Sequence, residues 1–333
     1  SLVRKALQER EVLLRMAPHI MWPLRFVMPH DAAQRPAWMI RAGLFLYDHL
    51  ARRRFLPGSE SVKLARHPAG QPLKAGYTRG FVYSDGWVDD ARLVVLNARD
   101  AEARGATILT RCPVTVATRT DTLWEIETPK GTFRAKALVN AGGPWVADIL
   151  TGVMRQNTQH AIRLVRGSHI VTKRLFDHDR CYFFQGTDGR IIFAIPYQED
   201  FTLIGTTDQE HTHADVAPTC TDEEAQYLCD FASSYFKKPV VMDDIVWRYS
   251  GVRPLYDDGA SSAQAATRDY VLKLDEDGAP VLNIFGGKIT TYRKLAEAAM
   301  EKITPFFPEA TAPWTAGVAM PGGDFEVHQV GDK

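Results

Sequence analysis

The 333-residue sequence has no GxGxxG run, no CxxC pair and no apolar stretch of the roughly 18 residues that a membrane-spanning helix needs. The first absence removes the phosphate-binding fingerprint of a complete Rossmann unit. The second leaves Cys112, Cys181, Cys220 and Cys229 reading as free thiols of a reducing cytoplasm. Excess charge of either sign is also missing, since 40 Lys and Arg balance 40 Asp and Glu. A non-specific nucleic-acid binder needs a basic surplus to displace counterions, and an acidic disordered tail needs the opposite, so both are excluded. Metal-ligand spacing is absent too. His211 and His213 flank Thr212 near Asp208 and Asp215, but no Cys or Glu sits at a ligand spacing, and the stretch reads as a polar loop. No signal-peptide core follows Ser1, and the chain enters a helical pattern at once, without a starting Met. What remains, 45% hydrophobic and 24% charged, is ordinary for a globular protein, and the length suggests two domains.

Along the chain, Val3, Leu7 and Leu14 share a stripe that predicts an amphipathic helix over residues 2–17, closed by Pro18. A second helix is expected over 37–54. Its centre, Leu44-Phe45-Leu46-Tyr47, is apolar nearly all round, which predicts burial. The same pattern, ending in Arg52-Arg53-Arg54, also suits a helix lying on a membrane surface. A strand at 81–83, a helix over 89–104 stopped by Gly105, and short strands at 107–109, 114–117, 123–128, 132–134 and 137–140 follow. From about 160 to 274 strand-like runs dominate and read as an antiparallel lobe. One helix interrupts them, opening with a capping box of Thr221 and Glu224. A strand at 281–284 and a helix over 290–302 come last.

Two glycine turns stand out. Asn140-Ala141-Gly142-Gly143-Pro144-Trp145 follows an apolar strand, where paired glycines let a ligand approach the backbone. Phe285-Gly286-Gly287-Lys288-Ile289-Thr290-Thr291 follows another strand and opens a helix, whose N-terminal N–H groups suit an anion. Each alone also reads as a plain tight turn. Together, and with the cation Lys288, they point towards a dinucleotide or phosphate ligand.

Longer words run through the chain in order: Glu11–His19, Arg35–Arg41, Tyr83–Leu93, Leu138–Trp145, Gly167–Ile170, Ile204–Asp208, Ser250–Leu255, Thr267–Tyr270 and Phe285–Ala296. In these the chain resembles the FAD-dependent (aerobic, quinone-linked) glycerol-3-phosphate dehydrogenases. One departure is Ala141-Gly142-Gly143, where the family usually has a single Gly before Pro-Trp. The resemblance implies an α/β plus α+β fold, a partial FAD-binding Rossmann-like domain with an antiparallel-sheet substrate lobe. Residues 1–80 would form a helical segment and part of the lobe, and 81–159 part of the FAD-binding domain. Residues 160–274 would be the lobe, 275–304 the return to the FAD-binding domain, and 305–333 the start of a linker to a C-terminal domain. It also implies a Gly-rich βαβ unit before Leu2 and a helical domain after Gly323, so this chain alone is expected to hold FAD weakly or not at all.

The implied reaction is oxidation of sn-glycerol 3-phosphate to dihydroxyacetone phosphate, with a hydride passing to FAD and a base taking the hydroxyl proton. His169 is the candidate base, since imidazole titrates near the working pH; a hydrogen-bonded strand histidine is the other reading. Arg253 is assigned to substrate and flavin face, and Arg268 and Lys288 to the phosphate. Arg268 reads equally as an ion pair with Asp269 or Asp257. Asn140, Ala141, Gly142 and Trp145 would follow the FAD pyrophosphate–ribityl path, and Gly286, Gly287, Thr290 and Thr291 the ribityl and pyrimidine side. Asp208 would hold His169 or Arg253. No metal is expected. The implied acceptor is a membrane quinone, with peripheral attachment to the inner membrane and a homodimer as one way to cover exposed apolar edges. The alternatives are an oxidase using oxygen and a non-catalytic, cofactor-free core.

Overall fold

The computed structural model describes residues 2–31, 33–156, 162–186, 189–257 and 269–332. Helix α1 (Leu2–Met16) buries Leu7, Leu13, Leu14 and Met16 and stops before Pro18. After β1 (Met21–His30), α2 (Ala37–His49) and β2 (Glu60–Lys63), β3 (Arg79–Val88) returns antiparallel along the whole of β1. Helix α3 (Asp90–Ala103) is capped by the Asp89 side chain, which accepts from the Arg92 N–H. A small meander follows, of β4 (Val116–Arg119), β5 (Trp124–Thr128) and β6 (Gly131–Ala135). Then come β7 (Leu138–Asn140) and the single turn α4 (Val146–Asp148). The second half contains β8 (Ile162–Lys173), β9 (Cys181–Gln185), β10 (Ile191–Tyr197), β11 (Phe201–Gly205) and β12 (Gln209–Glu210). It continues through α5 (Asp222–Tyr235), β13 (Ile245–Tyr256), β14 (Val271–Asp275), β15 (Val281–Phe285) and α6 (Tyr292–Ile303).

Among the described residues nine strands make one sheet, in the order β12-β8-β11-β10-β9-β1-β3-β2, with β13 along the opposite edge of β8. Its pairs are antiparallel apart from β1 with β9. A second sheet, β14-β15-β7, contains the parallel pair β15–β7. This is the expected α/β plus α+β class. Helix α5 covers one face of the large sheet, where Ala225, Leu228, Cys229 and Ala232 bury against Val27, Ile170, Tyr182, Phe184 and Ile204. Side chains alternate along a strand, so Ser168 and Ile170 face α5 while Gly167 and His169 face away from it. Helix α6 is tied to α1 through a buried charge cluster. Arg293 Nε donates to Glu9 Oε2 at 2.9 Å, and the same guanidinium reaches Glu297 and Thr315 Oγ1.

Four expectations are corrected. Helix α2 ends at His49 and is not buried: Trp38, Phe45 and Leu46 are 71%, 54% and 64% exposed. Its one buried side chain is Asp48, held by Arg53 and by the Ser59 N–H and hydroxyl. Apolarity all round cannot say whether the fold supplies a cover. The strand expected at 81–83 is the longer β3 and pairs with β1 in the large sheet. The segment expected to close the lobe at 270–274 pairs instead with β15, as β14. Residues 107–109 form no strand, because no described segment offers them a hydrogen-bonded ladder.

Candidate active site

Three neighbouring strands build the face of the large sheet turned away from α5. The register sets His169 of β8 opposite Gly205 of β11 on one side and Tyr249 of β13 on the other. The imidazole stacks on the Tyr249 ring, with centroids 5.1 Å apart and planes 7° from parallel. A Cβ on Gly205 would lie 2.7 Å from His169 Cγ and Nε2, so the ring occupies space that only glycine leaves open. Gly167 serves Arg253 in the same way. A Cβ there would overlap Arg253 Nη2 and come within 2.6 Å of Thr206 Oγ1. Arg253 is anchored by Asp208 Oδ1 at 2.8 Å and donates from Nη2 to the Thr207 carbonyl at 2.9 Å. Burial, and then the Arg253 charge, lower the His169 pKa to about 4, so the imidazole is neutral at neutral pH.

The two glycine turns meet at one end of the smaller sheet. The register Asn283↔Asn140 makes β15 and β7 parallel neighbours whose C-terminal ends open side by side, the usual ligand edge of such a sheet. Gly286 and Gly287 adopt φ of +69° and +102°, a left-handed backbone that favours glycine. A Cβ on Gly287 would lie 2.8 Å from Leu295 Cδ1. Helix α6 starts at Tyr292, after a tight turn over Ile289–Thr291.

Arg253, Asp208, Gly286, Gly287, Lys288 and Thr290 line one cavity of about 420 Å³. The structure therefore brings the lobe cation, the loop cation and the glycine turn together. A larger cavity, about 590 Å³, lies between α3, α6 and residues 310–320, and none of the expected residues lines it. Three expected cofactor residues are differently engaged. Asn140 is buried, and its amide donates to Asn283 Oδ1 and the Val146 carbonyl while accepting from Gly142 N–H. It clamps the two strands and has no amide hydrogen left for a ligand. Thr291 is buried, and its hydroxyl donates to the Lys288 carbonyl within its own turn. Trp145 is half-exposed and donates from Nε1 to Asp215 at 2.8 Å. Gly142 packs under the Ile149 side chain, and Ala141 is exposed beside it. Arg268 lies outside the described residues. Gly167, Gly205 and Tyr249 were missed. Glycine inside the strand runs at 167 and 205 was the available signal of close approach.

Glycine turns at the C-terminal ends of parallel strands, beside a cavity that holds Arg253 and Lys288, are the arrangement of a nucleotide-cofactor protein. The chain belongs to the FAD dependent oxidoreductase (DAO) family, whose profile matches residues 1–293. It is 49% identical over 332 residues to the D-erythritol 1-phosphate dehydrogenase of Brucella abortus, covering 97% of this chain and 66% of that one. It is 48% identical over 333 residues to the aerobic glycerol-3-phosphate dehydrogenase of Escherichia coli K12, covering 98% and 66%. Its fold is similar to a glycerol-3-phosphate dehydrogenase from Bacillus halodurans complexed with FAD, at a TM-score of 0.75 and 25% identity, covering 96% of this chain and 58% of that one. The chain thus spans just under two thirds of the length of these curated relatives. FAD is the cofactor of the family. The residues present fit one side of it, where Gly286 and Gly287 take a left-handed backbone and, with Lys288 and Thr290, line the cavity that also holds Arg253.

Proposed function

We propose that this protein works in oxidation of sn-glycerol 3-phosphate to dihydroxyacetone phosphate, with a membrane quinone as the final electron acceptor. One observation carries the reading: Arg253, anchored by Asp208 and Thr207, shares its cavity with Lys288 and the Gly286-Gly287 turn. FAD, when bound, supplies the two-electron acceptor. Arg253 and Lys288 hold the phosphate dianion, Arg through its planar fork and Lys as a point charge. Arg268 keeps its assignment as a further phosphate cation. His169 keeps its assignment as the base that takes the hydroxyl proton, on the sheet face turned away from α5. Its basicity is low in the free site because of burial and Arg253. A phosphate on Arg253 would weaken the second cause, while burial, the first, stays.

A second substrate reading rests on the equal likeness to a D-erythritol 1-phosphate dehydrogenase. Both substrates present a phosphate and a neighbouring polyol, and the cations named here recognise the part they share. No described helix is long and apolar enough to cross a membrane. We assign the membrane contact to α2, whose exposed Trp38, Phe45 and Leu46 are flanked by exposed Arg35, Arg52 and Arg54. Apolar insertion beside cations suits an anionic lipid surface.

The test is anaerobic mixing of the FAD-loaded protein with each polyol phosphate. Bleaching of the flavin band by glycerol 3-phosphate supports the reading, and bleaching by erythritol 1-phosphate alone moves it to the second substrate. No bleaching by either, with FAD bound, overturns it. Peroxide release against quinone reduction then separates oxidase from dehydrogenase.

A further inference from the structure

Behind the site, on the α5 face of the sheet, lies a carboxylate that the mechanism above does not use. Glu224 sits in the first turn of α5 and is 5% exposed. Its Oε1 accepts from Ser168 Oγ and from Thr207 Oγ1, each at 2.8 Å. Its Oε2 accepts from Arg166 Nη2 at 2.9 Å and from the Thr221 N–H at 3.1 Å. Four donors on one carboxylate leave no place for a carboxyl proton. Burial pushes Glu224 up, but the bonds from Thr221, Thr207 and Ser168 and the Arg166 charge outweigh it and hold the group below the usual carboxylate range.

The two hydroxyl partners each lead through the sheet to the reactive face. Thr207 Oγ1, besides donating to Glu224, accepts from the Ser168 N–H at 2.9 Å, and the Thr207 carbonyl is the acceptor that orients Arg253. Ser168 lies between Gly167, which makes room for Arg253, and His169. Its hydroxyl also meets Ser250 of β13 at 2.7 Å, bracing the strand that carries Arg253. A helix cap needs only one carboxylate oxygen. Here the second oxygen joins the β8 and Thr206–Thr207 backbones that present the two residues of the site.

We propose that Glu224 is a positioning residue, which through Thr207 and Ser168 sets the placement of Arg253 and His169 from the opposite face of the sheet. The assignment of Arg253 to substrate phosphate rests on the function proposed above, while the effect on His169 does not. The charged groups facing this network are Arg166 from β8 and Arg253 and Asp208 on the reactive side, with Arg248 of β13 paired to Asp222 at its edge.

The experiment compares Glu224→Gln with the parent protein. An amide turns a donor towards two hydroxyls and a guanidinium and so breaks the fourfold acceptor. We expect KM for the polyol phosphate to rise about tenfold as Arg253 is displaced, and kcat to fall as His169 loses its placement. The His169 titration, followed by NMR on ring-labelled protein without turnover, should move upward as Arg253 shifts away. A purely structural residue would lower the denaturant midpoint and leave both readouts where they were, and that outcome overturns the proposal. If Glu224→Gln does not fold, Thr207→Val decides. It removes the hydroxyl that bridges Glu224 to Ser168 and is expected to move KM and the His169 titration in the same directions; no movement in either overturns the proposal. A parent protein that turns over no polyol phosphate, yet shows the His169 shift in the variant, would remove the proposed function and leave the positioning role standing.

Discussion

Replacing Gly167 with alanine separates binding from stability at this site. The added methyl would overlap Arg253 Nη2 and sit 3.2 Å from its Cζ. Restoring a carbon contact of about 3.5 Å requires the guanidinium to retreat by on the order of 1 Å. Its bonds to Asp208 at 2.8 Å and to the Thr207 carbonyl at 2.9 Å cannot both survive that movement. A hydrogen bond involving a charged group contributes about 1.5–3 kcal/mol, so the anchoring of Arg253 weakens by roughly ten- to a hundredfold. The folded protein should lose far less. Gly167 does not adopt a positive φ, and alanine in a strand gains about 0.5–1 kcal/mol over glycine, which offsets much of the local strain. The assay is steady-state dye reduction with glycerol 3-phosphate beside a urea melt of the same samples. We expect KM to rise by at least about tenfold with a midpoint close to the parent's. A folded variant with an unchanged KM would refute the placement of Arg253 on the phosphate.

Two further outcomes follow from the structure. His169 and His178 both have pKa values lowered to about 4, each chiefly by burial, with Arg253 adding to the first. A depressed histidine pKa means that the unfolded chain binds more protons between about pH 4 and 6.5, so stability is full above 6.5 and falls as the pH drops towards 4. Urea midpoints across that range should decline, and His178→Gln should flatten the decline; a midpoint independent of pH would contradict the burial of both rings. Trp38→Ser with Leu46→Ser should abolish flotation with anionic vesicles and leave the melt unchanged, because neither side chain is buried. Retained flotation would place the membrane contact elsewhere, and loss of a dimer in sedimentation would assign the face to a second copy of the chain.

Local patterns were legible without a structure. The capping box at Thr221 and Glu224 and the helix stop before Pro18 depend on neighbours a few positions away, and the fold keeps them. The glycine turn at 286–287 was legible for the same reason, since its left-handed backbone is a property of those residues themselves. Partnership between elements was not. The strand at 79–88 has the pattern of either sheet, and only the register with β1 assigns it to the large one.

The same division runs through the candidate site. The residue types of Arg253, Lys288 and the 286–287 turn suggested an anion site in the sequence, and the structure sets those three around one cavity. Sequence alone could not tell that Asn140 is spent on Asn283, 143 positions away, or that Gly167 and Gly205 are the empty spaces in which Arg253 and His169 lie. Nor could it show that one carboxylate oxygen of Glu224 caps its own helix while the other reaches Ser168, 56 positions away. Helix α2 is the sharpest case. Its apolarity was plain in the sequence, but burial is a relation between a surface and whatever the fold sets against it, and only the tertiary structure leaves that surface open.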